Sequence, residues 1–297
     1  MNVLQLLVGG LALGGNYALI ALGFVIIYKS SGVLNFAQGG LLMIGAYTTY
    51  DFINVVGLQF WYAIATAMMV TGLIGIAIQE LVLRRMMGRP EFTIIMVTWA
   101  LLVILDQIPS QIWGQDMINL GDPWGLAMIK IGSLSIFTID AWTLLLTAVA
   151  VSLIYLFFRF TALGVAMRAA ASDLEASIAQ GISPRLVFAA AWFMASALAC
   201  LAGTMLSGGA NVLSPDLSLL ALVAFPAVVL GGMRSPWGAV LGGMIIGVAE
   251  VMTAALAAPY APWLGHNFYQ VMPYLILVAI LIVRPYGLFG GAGGRRV

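Results

Sequence analysis

Residues 4–28 read LQLLVGGLALGGNYALIALGFVIIY, a stretch without one charged side chain. The hydrocarbon core of a bilayer requires about 20 consecutive apolar residues of helix, so this stretch predicts a membrane span. No basic region precedes it and further apolar runs follow at once, so it is expected to be retained rather than cleaved as a signal peptide. Comparable stretches recur at 38–56, 59–83, 92–112, 141–158, 185–207, 217–233, 237–258 and 268–283. The expected fold is therefore all-α: a polytopic bundle of eight or nine membrane segments, some of them half-helices, in a single transmembrane domain over 1–297. A Gly-rich stretch begun by Ser30-Ser31-Gly32 and closed by Gly39-Gly40 interrupts the first two runs, and predicts a broken or re-entrant helix near 30–40.

Composition agrees with a membrane protein and removes several chemistries. Of 297 residues 63% are hydrophobic and 8% charged, and the mean hydropathy is +1.07, whereas soluble domains carry roughly a quarter charged residues. Twelve Lys and Arg against eleven Asp and Glu leave a net charge of +1, too little for a nucleic-acid face. Polar tracts that would mark disorder are missing. Cys200 stands alone, which rules out an intramolecular disulfide or a thiolate metal cluster. His266 is the sole histidine, so His-pair zinc sites are absent and a catalytic triad is not expected. Lys29 and Lys130 are the only lysines, and neither follows the glycine of a phosphate-binding loop. If ATP drives this protein, another chain binds it.

Arg and Lys accumulate in cytoplasmic loops. Arg84, Arg85 and Arg89 share a short loop, Arg159, Arg168 and Arg185 border another, and Arg284, Arg295 and Arg296 lie near the chain end. The 113–140 connection carries Asp116, Asp122 and Asp140 with Lys130 alone. This places 84–91, 159–185 and the C-terminus inside and 113–140 outside, with the N-terminus outside unless a re-entrant piece near 32–40 reverses the parity. Thirty-four glycines include four-residue spacings within apolar runs (Gly10 and Gly14, Gly238 and Gly242, Gly243 and Gly247), which let helix backbones approach closely in lipid. Trp61, Trp99, Trp113, Trp124, Trp142 and Trp263 fall mostly at expected span ends, as an interfacial belt would.

The 161–184 segment, TALGVAMRAAASDLEASIAQGISP, carries its own start and stop signals. Ser172 with Glu175 three residues on reads as a capping box, with Asp173 in the first turn. Gly181 suits the position after the helix end and Pro184 blocks continuation. Leu174, Ile178 and Ile182 share one face at four-residue spacing. A short amphipathic helix over 172–181 follows, either lying on headgroups or fitting a groove on a soluble partner.

Polar side chains within apolar runs are costly and tend to face a cavity or a partner. Asn16, Asn35, Gln38, Gln79, Asp106, Gln107 and Glu250 are such residues. Asn35 and Gln38, inside the 30–40 break, are the first candidates for a translocation path, with Asn16 and Glu250 beside them. Asp106 is expected near the interface. Glu250 could equally serve a helix-packing hydrogen bond.

Several motifs resemble one family. Glu175-Ala176-Ser177 with Gly181 resembles the Glu-Ala-Ala-x-x-x-Gly motif of bacterial ABC importer permeases, with Ser for one Ala. Gly15-Asn16-Tyr17-Ala18-Leu19-Ile20-Ala21-Leu22-Gly23 and Leu34-Asn35-Phe36-Ala37-Gln38-Gly39 resemble the amino-terminal signature of LivH-type permeases of branched-chain amino acid importers. Gly164, Arg168, Ala169, Ala171 and Asp173 are similar to that family's coupling loop, and Leu230-Gly231-Gly232 through Glu250 to its carboxy-terminal signature. Arg284-Pro285 with Gly287-Leu288-Phe289-Gly290 is similar to its ending.

The resemblance implies a permease subunit with coupling loop 159–185 that binds no cofactor itself. ATP and magnesium would sit on two partner ATPase subunits that push on Ser172, Asp173, Leu174, Glu175, Ala176, Ile178 and Gly181. It further implies a second, homologous permease (a different chain rather than a copy), a periplasmic solute-binding protein and a multi-pass place in the bacterial inner membrane. The cargo implied is a branched-chain amino acid or a related small carboxylate or amide solute. Where the family commonly has His-Gly-Glu after Asn-Phe-Ala, this chain has Gln38-Gly39-Gly40. That loss of a carboxylate suits a solute without an ammonium group. The rival class is an ion-gradient transporter or a passive channel, against which Asp106 and Glu250 make a sparse proton relay. A membrane-embedded enzyme lacks clustered nucleophile, base or metal ligands.

Overall fold

The computed structural model describes residues 3–131, 134–209, 211–260 and 267–290. His266, Trp263, Arg295 and Arg296, which entered the sequence reading, lie outside the described residues. Twelve α-helices in chain order carry the described fold: α1 Val3–Ser31, α2 Gln38–Asn54, α3 Phe60–Leu81, α4 Glu91–Ile112, α5 Thr138–Phe160, α6 Ala162–Ser172, α7 Leu174–Ala179, α8 Pro184–Leu206, α9 Leu220–Val223, α10 Phe225–Gly231, α11 Pro236–Tyr260 and α12 Met272–Val283.

Six of the described helices are long and apolar enough to cross a membrane. The other apolar stretches form shorter pieces: α2, the broken run Pro215–Gly231 and Phe268–Val283. The run over 217–233 breaks because Pro226, in the first turn of α10, has no amide hydrogen to continue α9.

One correction concerns fold class. Met128–Ile131 and Leu134–Phe137 form a two-stranded antiparallel hairpin, β1 and β2, pairing Met128 with Phe137 and Lys130 with Ser135. The signal was present as two short β-rich runs on either side of Gly132-Ser133. The protein is thus mostly helical rather than all-α.

The first apolar stretch becomes the centre of the molecule. Helix α1 is buried on all sides from Gly14 to Ile27, as its unbroken apolar circumference requires. It packs against α11, α8 and α5. The glycine spacings make the closest approach. A Cβ on Gly247 would lie 2.2 Å from the Gly14 nitrogen, and one on Gly243 2.5 Å from the Ala18 nitrogen. On another side of α11, a Cβ on Gly242 would lie 2.2 Å from the Ala227 carbonyl oxygen of α10. Helix α11 therefore sits wedged between α1 and α10 by backbone contact, which in lipid replaces the hydrophobic drive.

The chain contacts define two ends of the bundle. At one, Trp113 donates to Asp51 at 2.7 Å, Asn54 donates to the Leu120 carbonyl at 3.0 Å, and Gly209 N–H donates to Asp122 at 3.0 Å. Ile118 and Leu213 exchange backbone bonds there. Three tryptophans gather there: Trp61 and Trp142 ring centroids are 4.7 Å apart and Trp124 stacks on Trp142 at 5.7 Å. The α1–α2 turn, the α3–α4 turn, α6, α7 and the Leu288-to-Leu230 backbone bond of 2.7 Å mark the opposite end. Arg84, Arg85, Arg89, Arg159, Arg168, Arg185, Arg234 and Arg284 all belong to that opposite end, with Lys29.

Candidate translocation and coupling sites

The break between α1 and α2 is built by side chains that compete with the helix. Ser30 and Ser31 hydroxyls both donate to the Ile27 carbonyl, at 2.9 and 2.8 Å, and Gly32 then takes φ +75°, which a side chain would strain. Asn35 Oδ1 accepts from Ala37 N–H at 3.1 Å, turning the chain into α2 at Gln38. Thr98 of α4 pins the turn from outside, accepting from Phe36 N–H at 3.3 Å. The chain thus turns between α1 and α2 over residues 32–37, bringing Gln38 to the level of Gly23, and α1 and α2 run in opposite directions.

Of the four path candidates, the structure places Asn35 on a cavity wall. Asn35, 1% exposed, lines a space of about 290 Å³ between α1, α3, α4, α7 and α8. Gln79, Thr98, Arg89, Glu91 and Leu174 share that wall. Asn35 Nδ2 and Gln79 Oε1, on two residues of that wall, are buried without a protein partner among the described residues.

Gln38 is buried elsewhere. Its Nε2 donates to the Ala195 carbonyl of α8 at 3.0 Å, in a slot kept open by Gly23, whose Cβ would lie 2.1 Å from that nitrogen. Asn16 is buried on α1 with Oδ1 unpartnered. Glu250 Oε2 accepts from the Tyr17 hydroxyl at 2.8 Å, joining α11 to α1. Asp106 is half-buried and accepts from Ser218.

The coupling segment differs from its sequence reading in one point of chemistry. Ser172 does not cap. It is the last residue of α6, and its hydroxyl donates back to the Ala169 carbonyl at 2.7 Å. Asp173 has the extended backbone a cap requires, and its Oδ1 accepts from Ala176 N–H at 2.9 Å. The carboxylate also meets the positive end of α7. The helix is consequently shorter than 172–181, at Leu174–Ala179. Helix α6, capped by Thr161 through Gly164 N–H at 3.0 Å, precedes it and was not anticipated.

The other end follows expectation. Gly181 takes φ +84°, Ile182 N–H donates to Ser177 O at 3.0 Å and Gly181 N–H to Ile178 O at 2.9 Å, which together form a Schellman stop. The expected apolar stripe divides: Leu174 lines the cavity, Ile182 packs on the core, and Ile178 remains 50% exposed. Glu175 is exposed beside Ile178. Ser177, the departure from the family's Ala, donates its hydroxyl to the Asp173 carbonyl at 2.7 Å and is buried.

In the structure Glu80 accepts from Arg185 Nε at 2.9 Å and from Arg84 at 3.0 Å, fastening the start of α8 to the end of α3 beside the coupling segment. No sequence signal joins residues 105 apart.

A family model for the permease component of branched-chain amino acid transport systems matches residues 6–281. The chain belongs to that family. The permease is 30% identical to the BraD permease protein of Pseudomonas aeruginosa, over 97% of this chain and 96% of that one. It is 29% identical to the LivH permease protein of Salmonella typhimurium, over 97% and 95%. The LivM permease protein of Escherichia coli is 25% identical over 92% of this chain and 67% of its own. Among solved structures, PsaBC from Streptococcus pneumoniae in complex with Fab aligns at TM-score 0.51 over 97% of this chain and 94% of that one. At 14% identity that likeness speaks for the fold alone. The permease is a multi-pass membrane subunit of an ABC importer, not an enzyme, and the gradient-driven and channel readings give way to it.

Proposed function

We propose that this permease takes up a branched-chain amino acid, or a related small carboxylate or amide solute, across a bacterial inner membrane. The six long helices together with α2, the broken run 215–231 and α12 make up eight or nine membrane segments in a single domain over 1–297. The basic end faces the cytoplasm. A periplasmic binding protein delivers the solute to the opposite end. A second, different permease of the same family completes the path, and two ATPase subunits carry ATP and magnesium.

The observation that carries this reading is the coupling segment: a helix stopped at both ends by its own side chains and turns, with Ile178 and Glu175 exposed and Leu174 turned into the cavity. ATPase closure moves α7, and α7 moves the cavity wall on which Asn35 and Gln79 stand. Such coupling requires that the two access states bind the partners differently. Asn35 is the path residue best supported by geometry. Gln38, Asn16 and Glu250 act at one remove, through α8 and the α1–α11 contact.

Proteoliposomes containing the permease and its partners test the class. Uptake is expected only with ATP and the soluble ATPase, and uptake on a proton gradient alone would contradict the proposal. The cargo is tested by a binding screen on the cognate solute receptor. Selection of a solute with neither carboxylate nor amide overturns that part of the reading and leaves the ATP dependence standing.

A further inference from the structure

A second cleft of about 330 Å³ lies at the basic end, where α1, α5, α6 and α11 meet. Lys29, Arg159 and Arg168 line it, and no carboxylate among the described residues does. Elsewhere at this end Arg84 and Arg185 share Glu80. Three cations that converge without an acid predict an anionic guest.

The rest of the lining says which kind. Tyr155 and Trp237 stand at the rim with ring centroids 5.4 Å apart, and both are exposed. The Arg159 guanidinium lies over the Tyr155 ring, 5.7 Å from its centroid, and donates to the Tyr155 hydroxyl. Leu22, Ile154 and Val240 supply apolar wall. Leu22 precedes Lys29, and Ile154 precedes Arg159, by one to two helical turns, so the apolar wall lies deeper in the membrane than the cations. Charge at the water boundary with aromatic and aliphatic wall reaching below it reproduces the profile of a phospholipid.

We propose that this cleft binds an anionic glycerophospholipid of the inner leaflet, its phosphate held by Lys29, Arg159 and Arg168 and one acyl chain laid along Leu22, Ile154 and Val240. The inference rests on the orientation given under Proposed function, not on its cargo or its ATPase coupling. A phosphate held there ties α6, the helix leading into α7, to α1 and α5.

Native mass spectrometry of the purified full-length protein, titrated with dioleoyl phosphatidylglycerol or dioleoyl phosphatidylcholine, tests it. Wild type is expected to bind the first phosphatidylglycerol at least about tenfold more tightly, since each cation near an anionic headgroup contributes roughly fivefold. K29Q/R168Q is expected to bring the two lipids within about twofold. R85Q/K130Q, which loses the same charge elsewhere, keeps the preference. R159Q supplies a second reading if the double variant is not recovered folded. No preference in wild type, or equal loss in the control variant, overturns the proposal. So does complete displacement of the lipid by millimolar inorganic phosphate, which would make the cleft a free-anion site, or by the ATPase, which would make it a protein surface. A cysteine at Val165, exposed on α6, reports orientation separately. Its labelling from the periplasm removes the inner leaflet from the claim without touching the preference measured in detergent.

Discussion

At the scale of single residues, the start of the coupling helix turns on an acid rather than a hydroxyl. Asp173→Ala removes the acceptor for Ala176 N–H and is expected to cost about 1 kcal/mol of local helix stability. Hydrogen exchange of the 174–179 amides should then quicken roughly fivefold, while Ser172→Ala leaves it unchanged. Equal effects from both would restore Ser172 as the cap. The sequence offers both residues, and the Ser-x-x-Glu spacing points to Ser172. That reading fails because α6 runs through Ser172 and leaves its hydroxyl facing its own helix. The Tyr17–Glu250 bond joins residues 233 apart, beyond any local pattern. A double-mutant cycle of Tyr17→Phe with Glu250→Leu, read by thermal unfolding in detergent, should show coupling of about 0.6 kcal/mol, typical of hydrogen bonds between membrane helices. A coupling indistinguishable from zero would free Glu250 for another role.

At the scale of elements, backbone contact between α1 and α11 is the feature most legible beforehand. Small residues every fourth position announce a close crossing, although they do not say which helix is met. The structure supplies the partner, with Gly14 opposite Gly247. Gly247→Ala is expected to force the helices apart and sharply lower the recovery of folded protein in size-exclusion chromatography. Gly9→Ala, where an added Cβ meets nothing within 4 Å, should behave as wild type. Comparable recovery of both would mean that the crossing tolerates separation. The span positions were readable for the same reason as α1: apolar runs of bilayer length leave few alternatives. Helix α6 was not, because an alanine-rich run with one Arg, in a loop already assigned to another helix, has no strong boundary besides Thr161. The β hairpin was passed over because its apolar runs are four residues each, too short to register beside spans.

At the scale of the whole molecule, the two ends divide the labour. Asp122, Trp113 and the tryptophan cluster lock one end by hydrogen bonds and stacking, whereas the other end gathers the basic residues, the cavity and α7. The Glu80–Arg185 pair sits where α8 leaves the coupling segment. As a solvent-screened ion pair it adds little to stability. Arg185→Gln is therefore expected to leave thermal unfolding nearly unchanged yet reduce uptake per ATP hydrolysed, if α7 pushes against a fastened α8. An unchanged ratio would mean that the pair carries no motion.

Cys200 is the only cysteine in the chain and is fully buried, so Ile178→Cys introduces the sole accessible thiol, at the exposed centre of α7. Cross-linking from that thiol in the assembled transporter tests most directly whether α7 seats a soluble ATPase. The account predicts a covalent product with the ATPase subunit whose yield changes between the nucleotide-free and ATP-bound states. A thiol that reacts with lipid-phase reagents and never with the ATPase, in a complex that still transports, would contradict it.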